Sequence, residues 1–289
     1  MSKTARIKGD LDDVEALLEI ISIIKDVATN RFFAFAKLKE DLAKFLEIFL
    51  IFFNMLESVE TDCPLVRNDN PTTDIVVCTS ESSFMTSLNN RVCYVAAQEY
   101  QKHKISKVYC IGWRGADRLR SMGIPVDTIW RDISDENRYY VALELRDFLI
   151  QRCMNGESGR AVCVHILPKS FNILKPRIVK LLPAEELLGG GGGDALLQAG
   201  QDFIAESSID GIMKVLADIW ISSRLFEMIA DTKLAEAAAQ AQQLEQAIES
   251  LSREKKDLAM AFKKSGRDDL NKAMREVFSS SKVAKGGKR

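Results

Sequence analysis

The most constraining feature of the sequence is an apolar stripe that runs through its first 56 residues. Steps of four and three residues, taken alternately from Ile7 to Leu56, meet an apolar side chain at thirteen of fifteen positions, the exceptions being Lys25 and Lys39. A 3.5-residue repeat held for seven heptads without proline is typical of a coiled-coil helix, with an ordinary core helix as the alternative. At about 1.5 Å per residue this helix would be roughly 75 Å long, so it must extend beyond an ordinary domain.

A second stripe with the same spacing occupies the C-terminal part of the chain. No proline occurs between Ile209 and Ser265, and the segment is rich in strong helix formers. Ser265-Gly266 is a candidate break, and apolar residues continue after it. Two such helices at opposite ends predict an antiparallel pair. The second stripe comprises Leu234, Ala237, Ala241, Leu244, Ile248, Leu251, Leu258 and Phe262, and continues with Leu270, Met274, Val277 and Phe278.

The middle of the chain reads as an α/β domain. Short β-branched runs alternate with helical patterns, which predicts a mostly parallel sheet with right-handed crossovers. Ser134 is expected to cap the helix that covers 135–154. The predicted strands are 74–78, 107–112, 125–130, 160–167 and 175–183.

The predicted fold class is therefore α/β, with an antiparallel coiled coil of the N- and C-terminal helices and an inserted Rossmann-like open α/β domain. We divide the chain into a shaft helix (1–60), the α/β domain (70–185), a glycine-rich foot loop (186–208), and a second shaft helix with its tail (209–289).

Composition excludes several classes of protein. A net charge of −1 and a pI near 6.2 provide no positive field for a nucleic acid backbone. The most apolar run, Phe45 to Leu56, is too short for a bilayer, which requires ~20 residues. The six scattered cysteines indicate reduced, partly buried thiols of an intracellular protein. We expect no targeting segment, because four of the first fifteen residues are acidic.

The sequence shows no catalytic constellation. The turn after the first predicted strand contains no glycine, and the run Gly189 to Gly193 lacks the Lys-Ser/Thr pair of a P-loop. His103 and His165, the only histidines, have no partner at metal-ligand spacing. We therefore predict no nucleotide, cofactor or metal site.

Four fragments, in order and at the expected spacing, resemble the gamma subunit of F-type ATP synthases. The family's T-S-D-R-G-L-C-G-G-L-N falls in register with 79–89, and its I-G-x-K-G is echoed by 111–115. S-E-H-A-A-R-M-x-A-M-x-x-A is echoed from Ser222, and N-K-A-R-Q matches 271–275 in part. The chain departs from the family in its glycine-free turn, in Ser223 where the family has Glu, and in its glycine run.

The resemblance implies a mechanical role as the central stalk of a rotary ATPase. The coiled coil would lie in the hole of a hexamer of alpha and beta subunits, and the base would meet an epsilon-type subunit and the membrane c-ring. Catalysis would belong to the hexamer, so the chain would be a non-catalytic subunit. The residues that the resemblance carries over as hexamer contacts are Phe84, Met85, Asn89, Lys25, Arg31, Lys272, Met274 and Arg275.

The expected location is the cytoplasmic face of a bacterial membrane, with the matrix side of the mitochondrial inner membrane as the alternative. Two other functions remain open. One is a coiled-coil adaptor with a Rossmann-like head, which predicts a stable self-dimer. The other is a small-molecule enzyme, which predicts a ligand that stabilises residues 70–185.

Overall fold

The computed structural model describes residues 3–55, 61–184 and 208–286, and the glycine run lies outside them. Two long helices, α1 (Lys3–Met55) and α5 (Ile209–Gly286), begin and end this part of the chain. Both predicted long helices are confirmed. Between them lie β1 (Thr72–Cys78), α2 (Thr86–Lys102), β2 (Lys104–Ile111), α3 (Trp113–Ser121), β3 (Thr128–Trp130), α4 (Arg138–Met154), β4 (Arg160–Ser170) and β5 (Ile173–Leu182).

The chain forms two compact units, and the first comprises residues 1–28 and 241–289. Within it, Thr4 hydrogen-bonds Ser265 at 2.7 Å, and Glu15 pairs with Lys255 at 3.0 Å. Residue numbers rise along α1 as they fall along α5, so the helices are antiparallel. Val14 and Ala28 are buried on the predicted stripe.

The predicted break at Ser265-Gly266 is wrong, because α5 continues through it to Gly286. A glycine inside a helix costs only about 1 kcal/mol. Ser265 is buried and bonded to Thr4, which holds the backbone helical at this point.

The second unit, residues 29–240, contains a five-stranded sheet with the strand order β3-β2-β1-β4-β5. The first four strands are parallel, and β5 runs antiparallel to β4 at the edge. This confirms the predicted α/β class with a mostly parallel sheet.

Both faces of the sheet are covered, because successive side chains of a strand point to opposite sides. Ile75 and Val77 of β1 pack in a core with residues of α2 and α3, and Val76 and Cys78 pack in a second core with residues of α4. α5 contributes to both cores, with alanines such as Ala238 in the first and Trp220 in the second.

Helix α4 begins at Arg138, three residues later than predicted, and Ser134 is not its N-cap residue. The Ser134 hydroxyl accepts the backbone N–H groups of Glu136 and Asn137 at 3.3 Å, so it stabilises the preceding turn. None of the helices in the described part of the chain combines the length and apolar character needed to cross a bilayer.

Candidate partner-contact site

The turn between β1 and α2 is held by hydrogen bonds within the chain. Asn89 accepts the backbone N–H of Ser80 at 3.2 Å and donates its amide to the Ser80 carbonyl at 2.6 Å. Met85 is completely buried and Asn89 is 4% exposed, whereas Phe84 retains partial exposure. Among these three predicted contacts, only Phe84 therefore presents appreciable surface, while Met85 and Asn89 fix the turn from inside.

The side chain of Glu81, in the turn after β1, reaches the N-terminal end of α3. Its carboxylate accepts backbone N–H groups from Trp113 and Asp132, each at 3.2 Å, and Arg114 Nε donates to the Glu81 carbonyl at 2.6 Å. A helix N-terminus favours a negative charge, and in nucleotide-binding folds a phosphate takes this place. Here the chain's own carboxylate fills it.

Close packing joins the carboxyl ends of β1 and β2. The Thr79 hydroxyl donates to the Ile111 carbonyl at 2.6 Å. A Cβ on Gly115 would lie 2.1 Å from that hydroxyl, and Gly112 has a φ of +89°. The glycines of the IGWRG segment thus serve the backbone and the packing against Thr79.

A cavity of about 100 Å³ lies beside this turn, between the ends of β1 and β2 and helix α5. Ser80 donates to Glu236 Oε2 at 2.7 Å across its wall. No group of three or more His, Cys, Asp or Glu side chains that could hold a metal exists among the described residues. Burial raises the pKa of the Cys93 thiol to about 11, so this thiol is a poor nucleophile at neutral pH.

Two of the predicted contacts on α1 form ion pairs. Lys25 Nζ lies 2.9 Å from Glu245 Oε2, and this hydrogen bond raises the pKa of Lys25. Arg31, half exposed, lies 3.6 Å from Asp135. Both charges are balanced within the chain.

The other three predicted contacts, Lys272, Met274 and Arg275, lie together on an exposed stretch of α5. About 40 Å of helix separates them from Glu245, the partner of Lys25, at ~1.5 Å per residue. The structure therefore does not bring Lys25 and Lys272 into one site. The predicted set omitted neighbours that are each about two-thirds exposed, although the apolar stripe already contained them: Leu270, Val277 and Phe278.

Comparison with known proteins explains this architecture. A family model described as ATP synthase matches residues 3–282. The chain belongs to the ATP synthase gamma family. The ATP synthase gamma chain of Nitratidesulfovibrio vulgaris is 23% identical over 225 residues, 76% of each chain. That of Chlorobium phaeobacteroides is 22% identical over 244 residues, 81% of each chain.

Solved structures share the gamma fold. The chain superposes on a chain of the Euglena gracilis mitochondrial ATP synthase rotor with a TM-score of 0.60 at 12% identity, covering 92% of this chain and 98% of that one. For the central stalk and c-ring structure of Tetrahymena thermophila, the TM-score is 0.57 at 16% identity, covering 79% and 99%. The chain thus has the fold of these rotor and central-stalk chains.

Proposed function

We propose that the chain rotates within a hexamer of alpha and beta subunits and couples ion translocation to ATP synthesis or hydrolysis. The antiparallel helix pair formed by residues 3–28 and 241–286 supports this proposal, because it exposes apolar side chains that a partner could cover. Exposed apolar patches of this kind mark interaction sites. The exposed residues, each 39–67% accessible, are Leu17, Ile20, Ile23, Ile24 and Val27 on α1, and Leu270, Met274, Val277 and Phe278 on α5.

The proposed mechanism is differential binding. Two unlike helices present a different surface to each catalytic subunit, so the angle of the pair favours a different conformation in each one. Nucleotide affinity then depends on rotation. In this proposal the chain itself carries out no chemistry.

The proposed contacts with the hexamer divide by location. Phe84 acts at the turn after β1, whose position Met85 and Asn89 maintain. Lys25 and Arg31 contribute from α1 after exchanging or sharing their ion-pair partners. Lys272, Met274 and Arg275 act on the exposed end of α5, and we add Leu270, Val277 and Phe278 to this group.

The remaining partners are proposed from the family. They are an epsilon-type subunit and the c-ring of the membrane sector, which would place the chain peripherally at a membrane. The Euglena and Tetrahymena structures, described as a rotor and as a central stalk with c-ring, support this arrangement.

Breaking α5 within the helix pair tests the rotary role. Proline at Leu244 or Leu251 removes a backbone hydrogen bond and clashes with the preceding turn, at a cost of ~3 kcal/mol. In the assembled complex we expect ATP-driven ion pumping to be lost relative to ATP hydrolysis. Gln246→Ala, at an exposed position of the same helix, is the control. Unchanged pumping per ATP in the proline variants would refute the proposal.

A further inference from the structure

The two lysines that interrupt the apolar stripe of α1 both find acidic partners on α5. Lys25 Nζ lies 2.9 Å from Glu245, and Lys39 Nζ lies 2.6 Å from Asp231. Fourteen residues separate the two lysines, and fourteen separate the two acidic residues in the opposite direction. The lysines on α1 and their acidic partners on α5 are thus spaced by the same interval of two heptads.

Asp231 is the most deeply buried member of these pairs. It is 1% exposed, and its second oxygen lies 3.3 Å from Nε2 of His165, which is also 1% exposed. His165 Nδ1 has no hydrogen-bond partner among the described residues. Asp231 thus contacts Lys39 of α1 with one carboxylate oxygen and His165 of β4 with the other.

Asp231 is flanked along α5 by buried residues, among them Ala230 and Leu234. A buried carboxylate is costly unless it is paired and hydrogen-bonded. The structure supplies both kinds of partner, from α1 and from β4.

We propose that these two ion pairs specify the axial register of α1 against α5, with Asp231 as the main positioning residue. An apolar heptad repeat packs almost equally well after a slip of seven residues, whereas polar residues at core positions distinguish one register. A heptad slip would place Lys39 opposite Ala238 or Arg224, and Lys25 opposite Ser252 or Ala238. Neither direction of a one-heptad slip restores a pair, so in both of these registers the buried Asp231 loses its lysine.

This inference goes beyond the rotary role, because it concerns how the helix pair is specified. The test therefore uses the full chain alone, and its outcome is independent of assembly. Lys39→Met combined with Asp231→Leu replaces the pair by apolar side chains of similar shape, which matters because Asp231 is only 1% exposed. Spin labels at Lys37 and Lys214, two exposed positions of the second unit, report the distance between the helices by pulsed electron resonance.

The unaltered chain should give one narrow distance peak. The double variant should give a second peak displaced by about 10 Å, the length of one heptad at ~1.5 Å per residue. Removal of the exposed Glu40–Lys44 pair on α1 by the same substitutions is the control and should leave one peak. One unchanged peak in the Lys39–Asp231 variant would overturn the proposal.

A second variant decides the question if the apolar variant fails to fold. Exchanging the charges, by Lys39→Asp with Asp231→Lys, keeps the pair while reversing its direction. The proposal expects the single original peak to persist. A split or displaced peak in the charge-exchanged chain would overturn it.

Discussion

Substitution of Asn89 by alanine probes the turn that carries the candidate contact Phe84. The side chain of Asn89 makes two hydrogen bonds to the Ser80 backbone, at 3.2 and 2.6 Å, and both residues are buried. Each bond contributes about 1 kcal/mol, and a buried polar group left without a partner costs about 1–3 kcal/mol. We therefore expect Asn89→Ala to lower the free energy of unfolding by about 2–4 kcal/mol.

Urea denaturation followed by circular dichroism measures this loss, and hydrogen exchange at the Ser80 amide localises it. Asn90→Ala is the matched control, because Asn90 is exposed on the same turn of α2 and its change should stay within ~0.5 kcal/mol. The Ser80 amide should exchange faster in Asn89→Ala only. Equal urea midpoints for the two variants would refute the assignment of Asn89 as the residue that holds the turn.

Three further substitutions and one pH-dependent measurement test the packing. Gly115→Ala should destabilise the fold by about 1–3 kcal/mol, because the added Cβ would clash with Thr79. Gly9→Ala should stabilise α1 by about 0.5–1 kcal/mol, because open space surrounds Gly9. Thermal unfolding compares the two variants. Arg152→Met should cost about 3–5 kcal/mol by leaving the fully buried Asp74 carboxylate, 2.8 Å away, without its counterion, measured by urea denaturation. All six cysteines are buried, and burial raises the thiol pKa of Cys93 and Cys153 to about 11, above the ordinary 9.0. Because these thiols ionise at lower pH in the unfolded chain, the free energy of unfolding should fall as pH rises from 9 to 11. A thiol reagent should react rapidly only with the unfolded chain.

Periodicity predicts the long helices because one repeat is sustained over many turns, and the structure confirms both. Periodicity does not explain the two lysines that interrupt the stripe of α1. The structure explains Lys25 and Lys39 by their ion pairs with Glu245 and Asp231. Those partners lie about two hundred residues away in sequence, so no local pattern identifies them.

The sheet shows a second limit of sequence reasoning. The sequence predicts that the fourth strand ends at Leu167, before Pro168. In the structure β4 continues to Ser170 and β5 begins at Ile173, so the two strands form a hairpin that the prediction misses. Pro168 is tolerated because the pairing of β4 with β1 ends at Val164. So short a connection requires antiparallel strands, which explains the direction of β5.

Among the site residues, too, some properties follow from local sequence and others depend on distant contacts. The stripe identifies Met274 as an apolar residue of α5, and the structure shows it 51% exposed. The burial of Met85 and Asn89 depends on how the turn folds back onto Ser80. The contact of Glu81 with the start of α3 crosses 32 residues, and no motif indicates it.

Purification of the tagged chain from its native cells, under gentle extraction, tests the central claim most directly. Gel filtration, subunit stoichiometry and an ATP hydrolysis assay are then applied to the main peak. The rotary proposal predicts a large, ATP-hydrolysing complex that contains one copy of this chain and several copies of two more abundant subunits. Elution as a small self-dimer without ATPase activity would contradict it and favour the adaptor function.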